Sequence, residues 1–274
     1  MKLLKVFMDN SIKNFYSDYS DKILQKRFNS PYALRRYVHL KQYEAFLGYV
    51  EPGMRVLDAG CGEGVLSVML AQRGAIVTGC DLSIPNIENA RHHSKEVGVD
   101  NIEFLVADLE NIPFADSSFD LVVSSHVLEH LPDFDQGLRE IMRVTKRRAV
   151  IAIPTILNPC SMVQVGGGWF YLKGPRSFLA VFWGFLKMFR ALTLGQEGVN
   201  ESYGREDIPH IFRFPWIMKS KINKEKFKLT EYEASSLCLP YFSNGLLVIK
   251  FLDQYKSKKI FRNLGYGTTY VVEK

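Results

Sequence analysis

The stretch Arg55–Gly64, R-V-L-D-A-G-C-G-E-G, read together with Val77–Asp81, V-T-G-C-D, constrains this chain more than any other. Val56 and Leu57 end a short apolar run of the kind that fills a buried strand. Asp58 follows, then Gly60, Gly62 and Gly64 at alternate positions. A helical pattern opens at once with Val65, Leu66, Val68, Met69 and Leu70. The order is strand, glycine turn, helix. Glycine has no Cβ and accepts positive φ, so such a turn lets a ligand lie against bare backbone. The helix that follows offers unpaired N–H groups to a polar or anionic ligand. Ala75–Cys80 reads as the next strand, ending in Asp81. A carboxylate there, about 20 residues past the glycines, stands where an α/β nucleotide site holds ribose hydroxyls.

The rest of the core repeats this alternation. Glu51-Pro52-Gly53 is a turn before the first strand, Arg55–Asp58, and Gly64–Arg73 is the helix after it. Ser83 caps a helix that starts near Pro85 and runs to about Val97. Ile102–Val106 and Phe119–Ser124 are strands three and four, Phe134–Val144 is a helix, and Arg148–Ile153 is strand five. Phe227–Ala234 and Thr268–Val272 supply two more strands, with a short helix at Trp216–Ile222. The predicted fold is α/β: a Rossmann-like, doubly wound, mostly parallel seven-stranded sheet with helices on both faces and a helical insertion after strand five. Four segments follow: an N-terminal helical cap, 1–50; the core, 51–153; the insertion, 154–215; and a C-terminal completion of the sheet, 216–274. The last carries a basic helix-like stretch, Leu246–Lys259.

Spacing separates two kinds of cofactor. A dinucleotide fingerprint, G-x-G-x-x-G, needs a glycine at position 65, where the chain has Val65. The order present, D-x-G-x-G-x-G, resembles the cofactor loop of class I S-adenosylmethionine-dependent methyltransferases. The stretch Ile112–Asp133, I-P-F-A-D-S-S-F-D-L-V-V-S-S-H-V-L-E-H-L-P-D, resembles their type-11 subgroup, which includes quinone-biosynthesis enzymes and many glycan, lipid and natural-product enzymes. The resemblance covers roughly residues 40–153. It implies S-adenosyl-L-methionine as cofactor, held by Asp58, Gly60, Gly62, Gly64, Asp81 and Leu82. It also implies that Asp108 accepts from the adenine amino group while Leu109 approaches the ring. His210-Ile211-Phe212-Arg213-Phe214 resembles an H-x-x-R-F segment that faces the substrate cavity in many of these enzymes.

Methyl transfer from a sulfonium needs alignment and, for an oxygen or nitrogen acceptor, loss of a proton. His126, just after strand four, and His210 are the candidate catalytic bases. His130 reads as a hydrogen-bonded packing residue and Glu129 as a local pairing partner. No third ligand is spaced to complete a metal site, so no metal is expected. Asn14–Lys26 and Tyr32–Val50 show helical spacing, and Tyr16, Tyr19 and Arg36 are candidates to line a lid.

The insertion is far longer than an ordinary αβ connection. Gly166-Gly167-Gly168 reads as a hinge, followed by Phe178–Leu192, apolar except for Lys187 and Arg190. Such a helix is buried, as a lid or in a homodimer, or lies in a membrane interface with its basic residues reaching out, through 169–192. Either way a small-molecule or lipid- or glycan-linked acceptor is expected, with O-methylation as the leading chemistry. Residues 1–9 make a poor leader, and no apolar run approaches the ~20 residues that span a bilayer. Four scattered cysteines argue reduced thiols and a cytoplasmic setting, membrane-associated if the interfacial reading holds. A net charge of +6 is mild for 274 residues, and no basic–aromatic platform points to nucleic acid. Two other classes stay open: a non-catalytic cofactor-binding partner protein, and an NAD-type oxidoreductase.

Overall fold

β1 (Arg55–Ala59) is an interior strand of the sheet in the first part of the chain. Its Val56 and Leu57 are fully buried, as are Val122 and Val123 of β4 (Phe119–Ser125) beside it. The computed structural model describes residues 11–20, 24–99, 101–201, 209–225, 227–242 and 245–274. Residues 1–9, weighed above as a leader, lie outside the described residues, as does Ile23. By contact the chain forms two units. The first comprises the chain up to Lys26, Phe46–Ile151 and Val272–Lys274; the second comprises Arg27–Ala45 and Ala152–Val271.

In the first unit β1 pairs in parallel with β2 (Ile76–Asp81) on one side and with β4 on the other, and β2 pairs in parallel with β3 (Glu103–Val106). The chain therefore runs outward from β1 to β3, then returns to the opposite side of β1. That reversal opens a crevice at the carboxyl ends of β1 and β4, where open α/β sheets bind ligands. Helices α3 (Val65–Gln72), α4 (Ile84–Glu96) and α5 (Phe134–Val144) connect these strands and lead into β5 (Thr145–Pro154). Their starts are chemically marked. Ser83 Oγ accepts the Asn86 N–H at 3.1 Å, and the Asp133 carboxylate accepts the Gln136 N–H at 3.0 Å. α5 buries Leu138, Ile141 and Met142 completely, the face read from its periodicity.

The sheet has seven strands in the order β3-β2-β1-β4-β5-β9-β8, with β8 at Lys228–Ala234 and β9 at Gly267–Glu273. The strand count agrees with the sequence reading. The second unit holds β8 and most of β9 with α2 (Ala33–Leu47, all but its last two residues), α6 (Pro159–Val165), α7 (Pro175–Thr193), α8 (Pro215–Lys224) and α9 (Leu246–Asp253). It also holds an antiparallel ribbon of β6 (Gly198–Asn200) and β7 (Ile211–Arg213), which the sequence did not disclose. Its core gathers Leu34, Val38, Cys160, Phe170, Phe212 and Tyr266.

Three local expectations change. Asn14–Lys26 is not one helix: α1 covers residues 11–17, and Leu24–Phe28 forms a π-helical turn. The glycines at 166–168 do not act as a simple hinge. A Cβ on Gly166 would overlap the Ala180 carbonyl, and one on Gly168 would lie 2.7 Å from Ala180 Cβ, so they admit α7 closely. α9 stops at Asp253 rather than continuing to Lys259. Among the described residues no helix is long and apolar enough to cross a membrane. All four cysteines are free and buried.

Candidate active site

The glycine loop sits at the carboxyl end of β1, and its shape explains its composition. Gly60, Gly62 and Gly64 take φ of +83°, +52° and +73°, in the region that L side chains avoid. Gly60 is held twice over, because a Cβ there would lie 2.6 Å from Val127 Cγ1 and 2.9 Å from Val127 Cβ. A Cβ on Gly64 would lie 2.9 Å from Ala90 Cβ. The Gly60 and Cys61 N–H groups both donate to the Cys80 carbonyl, at 2.8 and 2.9 Å, tying the loop to the end of β2.

Three carboxylates stand around the loop, in different roles. Asp58 is sealed at 1 % exposure and accepts from the Ser67 hydroxyl at 2.6 Å. Burial pushes its pKa up to about 7, the nearby Asp81 charge adds to this, and the Ser67 bonds oppose it. Asp58 therefore anchors α3 beneath the loop. Asp81, at the tip of β2, is half-buried; one oxygen accepts the Gly62 N–H and the other the Ser83 N–H, each at 2.9 Å. Burial raises its pKa, while those two backbone donors hold it back. Leu82 beside it is half-buried and Leu109 is buried. Asp108 lies beyond the end of β3 and accepts from Lys13 Nζ at 2.6 Å; Lys13 also reaches Glu110 at 2.6 Å.

Lys13 is a site residue that sequence reasoning missed. Nothing in the spacing links position 13 to position 108; only the fold brings α1 over the strand tips. The same segment supplies the lid tyrosines. Tyr16 Oη bonds His130 Nδ1 at 2.8 Å, and the Tyr19 carbonyl accepts from the Ser83 hydroxyl at 2.6 Å. Phe15, Tyr16 and Tyr19 pack ring against ring, with centroids 5.0 to 5.8 Å apart. Arg36 does not join them. It belongs to the second unit, where its guanidinium donates to the Ser30 carbonyl.

His126 follows β4 directly and takes φ +58°, a left-handed conformation at the crevice. The turn after it is a single 3-10 turn, Leu128–His130, so His126 and His130 are not stacked on an α-helical face. His126 Nδ1 lies 3.4 Å from the fully buried Glu129 carboxylate. His126 Nε2 is buried and has no hydrogen-bond partner among the described residues. His210 lies in the second unit, buried, with its Nδ1 3.0 Å from Glu201 and its N–H donating to Asn200 Oδ1 at 2.9 Å. Arg213 of the same segment is buried, with Nε 3.4 Å from Glu197. The H-x-x-R-F residues thus form one strand of the β6–β7 ribbon and its flanks.

Residues 57–153 match a family model described as a methyltransferase domain. The chain is 34 % identical over 135 residues to a malonyl-[acyl-carrier protein] O-methyltransferase of Serratia marcescens, covering 47 % of this chain and 49 % of that protein. It is 30 % identical over 193 residues to a demethylmenaquinone methyltransferase of Listeria welshimeri, covering 68 % of this chain and 80 % of the relative. The chain spans about half the length of the first curated relatives it matches. In fold it resembles a SAM-dependent methyltransferase from Methanosarcina mazei, with a TM-score of 0.56 at 19 % identity over 84 % of this chain and 96 % of that one. The positive-φ glycine loop, the strand order and the match across four-fifths of the Listeria relative agree: the chain belongs to the class I, type-11 S-adenosylmethionine-dependent methyltransferases.

Proposed function

We propose that this chain transfers a methyl group from S-adenosylmethionine to an oxygen of a small or lipid- or glycan-linked acceptor. The observation that carries the reading is the loop of three positive-φ glycines at the β1–β4 crevice, flanked by Asp81 and Asp108 at the tips of the next two strands. The donor set fits the cofactor. Each Asp81 oxygen accepts one backbone N–H, the Asn86 side chain adds a further bond, and the remaining acceptor capacity is assigned to a ribose hydroxyl. We assign the exocyclic amine to Asp108, whose two oxygens also accept from Lys13 Nζ and the Glu110 N–H, and the apolar wall to Leu109. When bound, the cofactor supplies an already activated methyl group, so the protein's part is alignment, exclusion of water and removal of the acceptor proton.

His126 is the leading candidate for that proton. It directly follows the strand tip in a left-handed turn, and Glu129 beside Nδ1 favours a proton there. That tautomer leaves the Nε2 lone pair to take a proton from an acceptor hydroxyl. His210, paired with Glu201, has the same chemistry in the second unit and is the second candidate. Tyr16 on α1 and Tyr19 just after it serve as a cover that keeps water from the crevice.

The relatives' acceptors frame the search. The named relatives include a malonyl-[acyl-carrier protein] O-methyltransferase and a ubiquinone biosynthesis O-methyltransferase, and we carry over O-methylation as the first chemistry to assay. Calorimetry tests the cofactor assignment. Micromolar binding of S-adenosylmethionine and none of NAD supports it; binding of NAD alone refutes it. Asp81→Ala should weaken binding by roughly tenfold or more, the loss of a charged hydrogen-bond acceptor. Transfer of labelled methyl to no acceptor in a panel of quinols, acyl-carrier thioesters and glycolipids, with donor binding intact, would favour the non-catalytic partner reading.

A further inference from the structure

α7 is packed inside out. The residues it buries are small: Ser177, Ala180, Gly184 and Ala191, with Val181 and Met188 half-buried between them. The residues it exposes are large: Phe178, Leu179, Phe182, Trp183, Phe185, Leu186, Phe189 and Leu192, at 39 to 59 %. A water-facing helix normally does the reverse. The small stripe has a local cause. A Cβ on Gly184 would overlap the Met162 carbonyl oxygen, and one on Gly166 would overlap the Ala180 carbonyl oxygen. The backbones of α6 and α7 therefore touch, as small-residue stripes allow for helices packed in lipid. Rolling α7 to bury its aromatic rings would force the two backbones apart, so the outward face is locked in register.

The same unit carries a second apolar patch. Leu247, Val248, Phe251 and Ile260, on α9 and the turn after it, are 46 to 82 % exposed. Tyr241, a few residues before α9, packs on α7. Its ring lies 4.5 Å from that of Phe178, and its hydroxyl donates to the Ser177 carbonyl. At about half of ~200 Å² each, the large residues of α7 alone present on the order of 800 Å² of apolar surface. The largest apolar patch of an ordinary monomer is roughly 300–600 Å². Such a face requires an occupant.

Charge selects which one. α7 carries Arg176, Lys187 and Arg190 and no acid, with Lys173 just before it. Residues 245–264 carry Lys250, Lys256, Lys258, Lys259 and Arg262. Their one acid, Asp253, is buried and accepts from Tyr37 Oη at 2.8 Å and from the Leu237 N–H. Lys187 is bound to the Val165 carbonyl and Lys256 to Glu233, which leaves Lys173, Arg176, Arg190, Lys250, Lys258 and Lys259 exposed at the margins of the apolar surface. A symmetric pair of chains would set this patch against itself, cation against cation. An anionic bilayer complements it, taking the rings into its interface and the ammonium and guanidinium groups at its headgroups.

We propose that α7 and the segment 245–264 form a monotopic face that docks this chain on anionic lipid bilayers. The inference goes beyond methyl transfer and does not depend on it. Flotation of the full chain with phosphatidylglycerol–phosphatidylcholine vesicles, against pure phosphatidylcholine vesicles, tests it. We expect binding to the anionic vesicles, roughly tenfold weaker or less on neutral ones and weakened by salt. Phe182→Ser/Phe185→Ser should cut binding by roughly tenfold or more, since each ring is about half exposed. It should leave the unfolding midpoint unchanged for the same reason. Arg176→Glu/Arg190→Glu should do likewise and provides a test if the serine variant folds poorly. S-adenosylmethionine affinity, measured on the same samples, separates a lost membrane face from a lost cofactor site. Equal binding to both vesicle types, or none, overturns the proposal. So does a dimer in sedimentation that the serine variant breaks without any vesicle binding by the parent.

Discussion

Replacing Gly60 with alanine should damage the first unit in two separable ways. The backbone there sits at φ +83°, where a Cβ costs about 1–2 kcal/mol. The new Cβ would also meet Val127, 2.6 Å from Cγ1 and 2.9 Å from Cβ, an overpacking worth about 1–3 kcal/mol. Together these predict a loss of about 2–5 kcal/mol, a large share of a typical domain's stability. The steric part can be removed on its own. Val127→Ala deletes both γ carbons, and because Val127 is half-buried it should cost about 1 kcal/mol alone. The double variant should then be more stable than the sum of the single losses by about 1–2 kcal/mol, while the φ cost persists. The choice of probe matters. Trp169, Trp183 and Trp216 all lie in the second unit, so fluorescence is blind to the first. Hydrogen exchange at the amides of β1 and β4, with S-adenosylhomocysteine affinity as a second readout, reports on the loop directly. A Gly60→Ala variant within about 1 kcal/mol of wild type, or a double variant no better than additive, would show that the loop does not need this glycine for the reasons given.

Other perturbations follow from the same geometry. Asp58 has its pKa raised by burial from 3.8 to about 7, so its carboxyl favours folding when protonated and that contribution is lost as pH climbs through the window between the two values. Asp58→Asn keeps an acceptor for Ser67 without the charge; its stability relative to wild type should rise from pH 4 to pH 8 by up to about 4 kcal/mol, and parallel denaturation curves across that range would refute the assignment. Lys13→Met leaves Asp108 and Glu110 without their shared cation, so proteolysis within residues 11–20 should accelerate and lose its salt dependence; unchanged protection would mean α1 is held by its aromatic packing alone. His126→Asn should lower kcat far more than it changes S-adenosylmethionine affinity once an acceptor is found, and an unchanged kcat would pass the role of base to His210.

The first unit was legible because its signals are local. A strand ending in a glycine turn, a serine cap at Ser83 and the apolar face of Leu138, Ile141 and Met142 each declare themselves within a few residues. The boundaries of α4 and α5 follow from them, as does the placement of Asp81 and Asp108 at strand tips. The pairings that finish the site are not local. Lys13 meets Asp108 across 95 positions and Tyr16 meets His130 across 114, and no periodicity encodes either. The left-handed turn at His126 is equally silent, since histidine carries no mark of the φ it will adopt.

The glycines of the insertion were misjudged for a more instructive reason. The apolar run from Phe178 to Leu192 states only that a helix needs an apolar environment; it does not state which side faces the protein. That choice rests on the few small residues, Ala180 and Gly184 on α7 and Gly166 on the other side of the contact, because backbone can approach backbone only where side chains are missing. Read for hydrophobicity, the helix is either buried or laid in an interface, and the glycines become a hinge. Read for size, the glycines become the contact and the rings are turned out. The second reading was available in the sequence, as A-V-F-W-G from Ala180 to Gly184, and it leaves the large aromatic surface for something outside the fold.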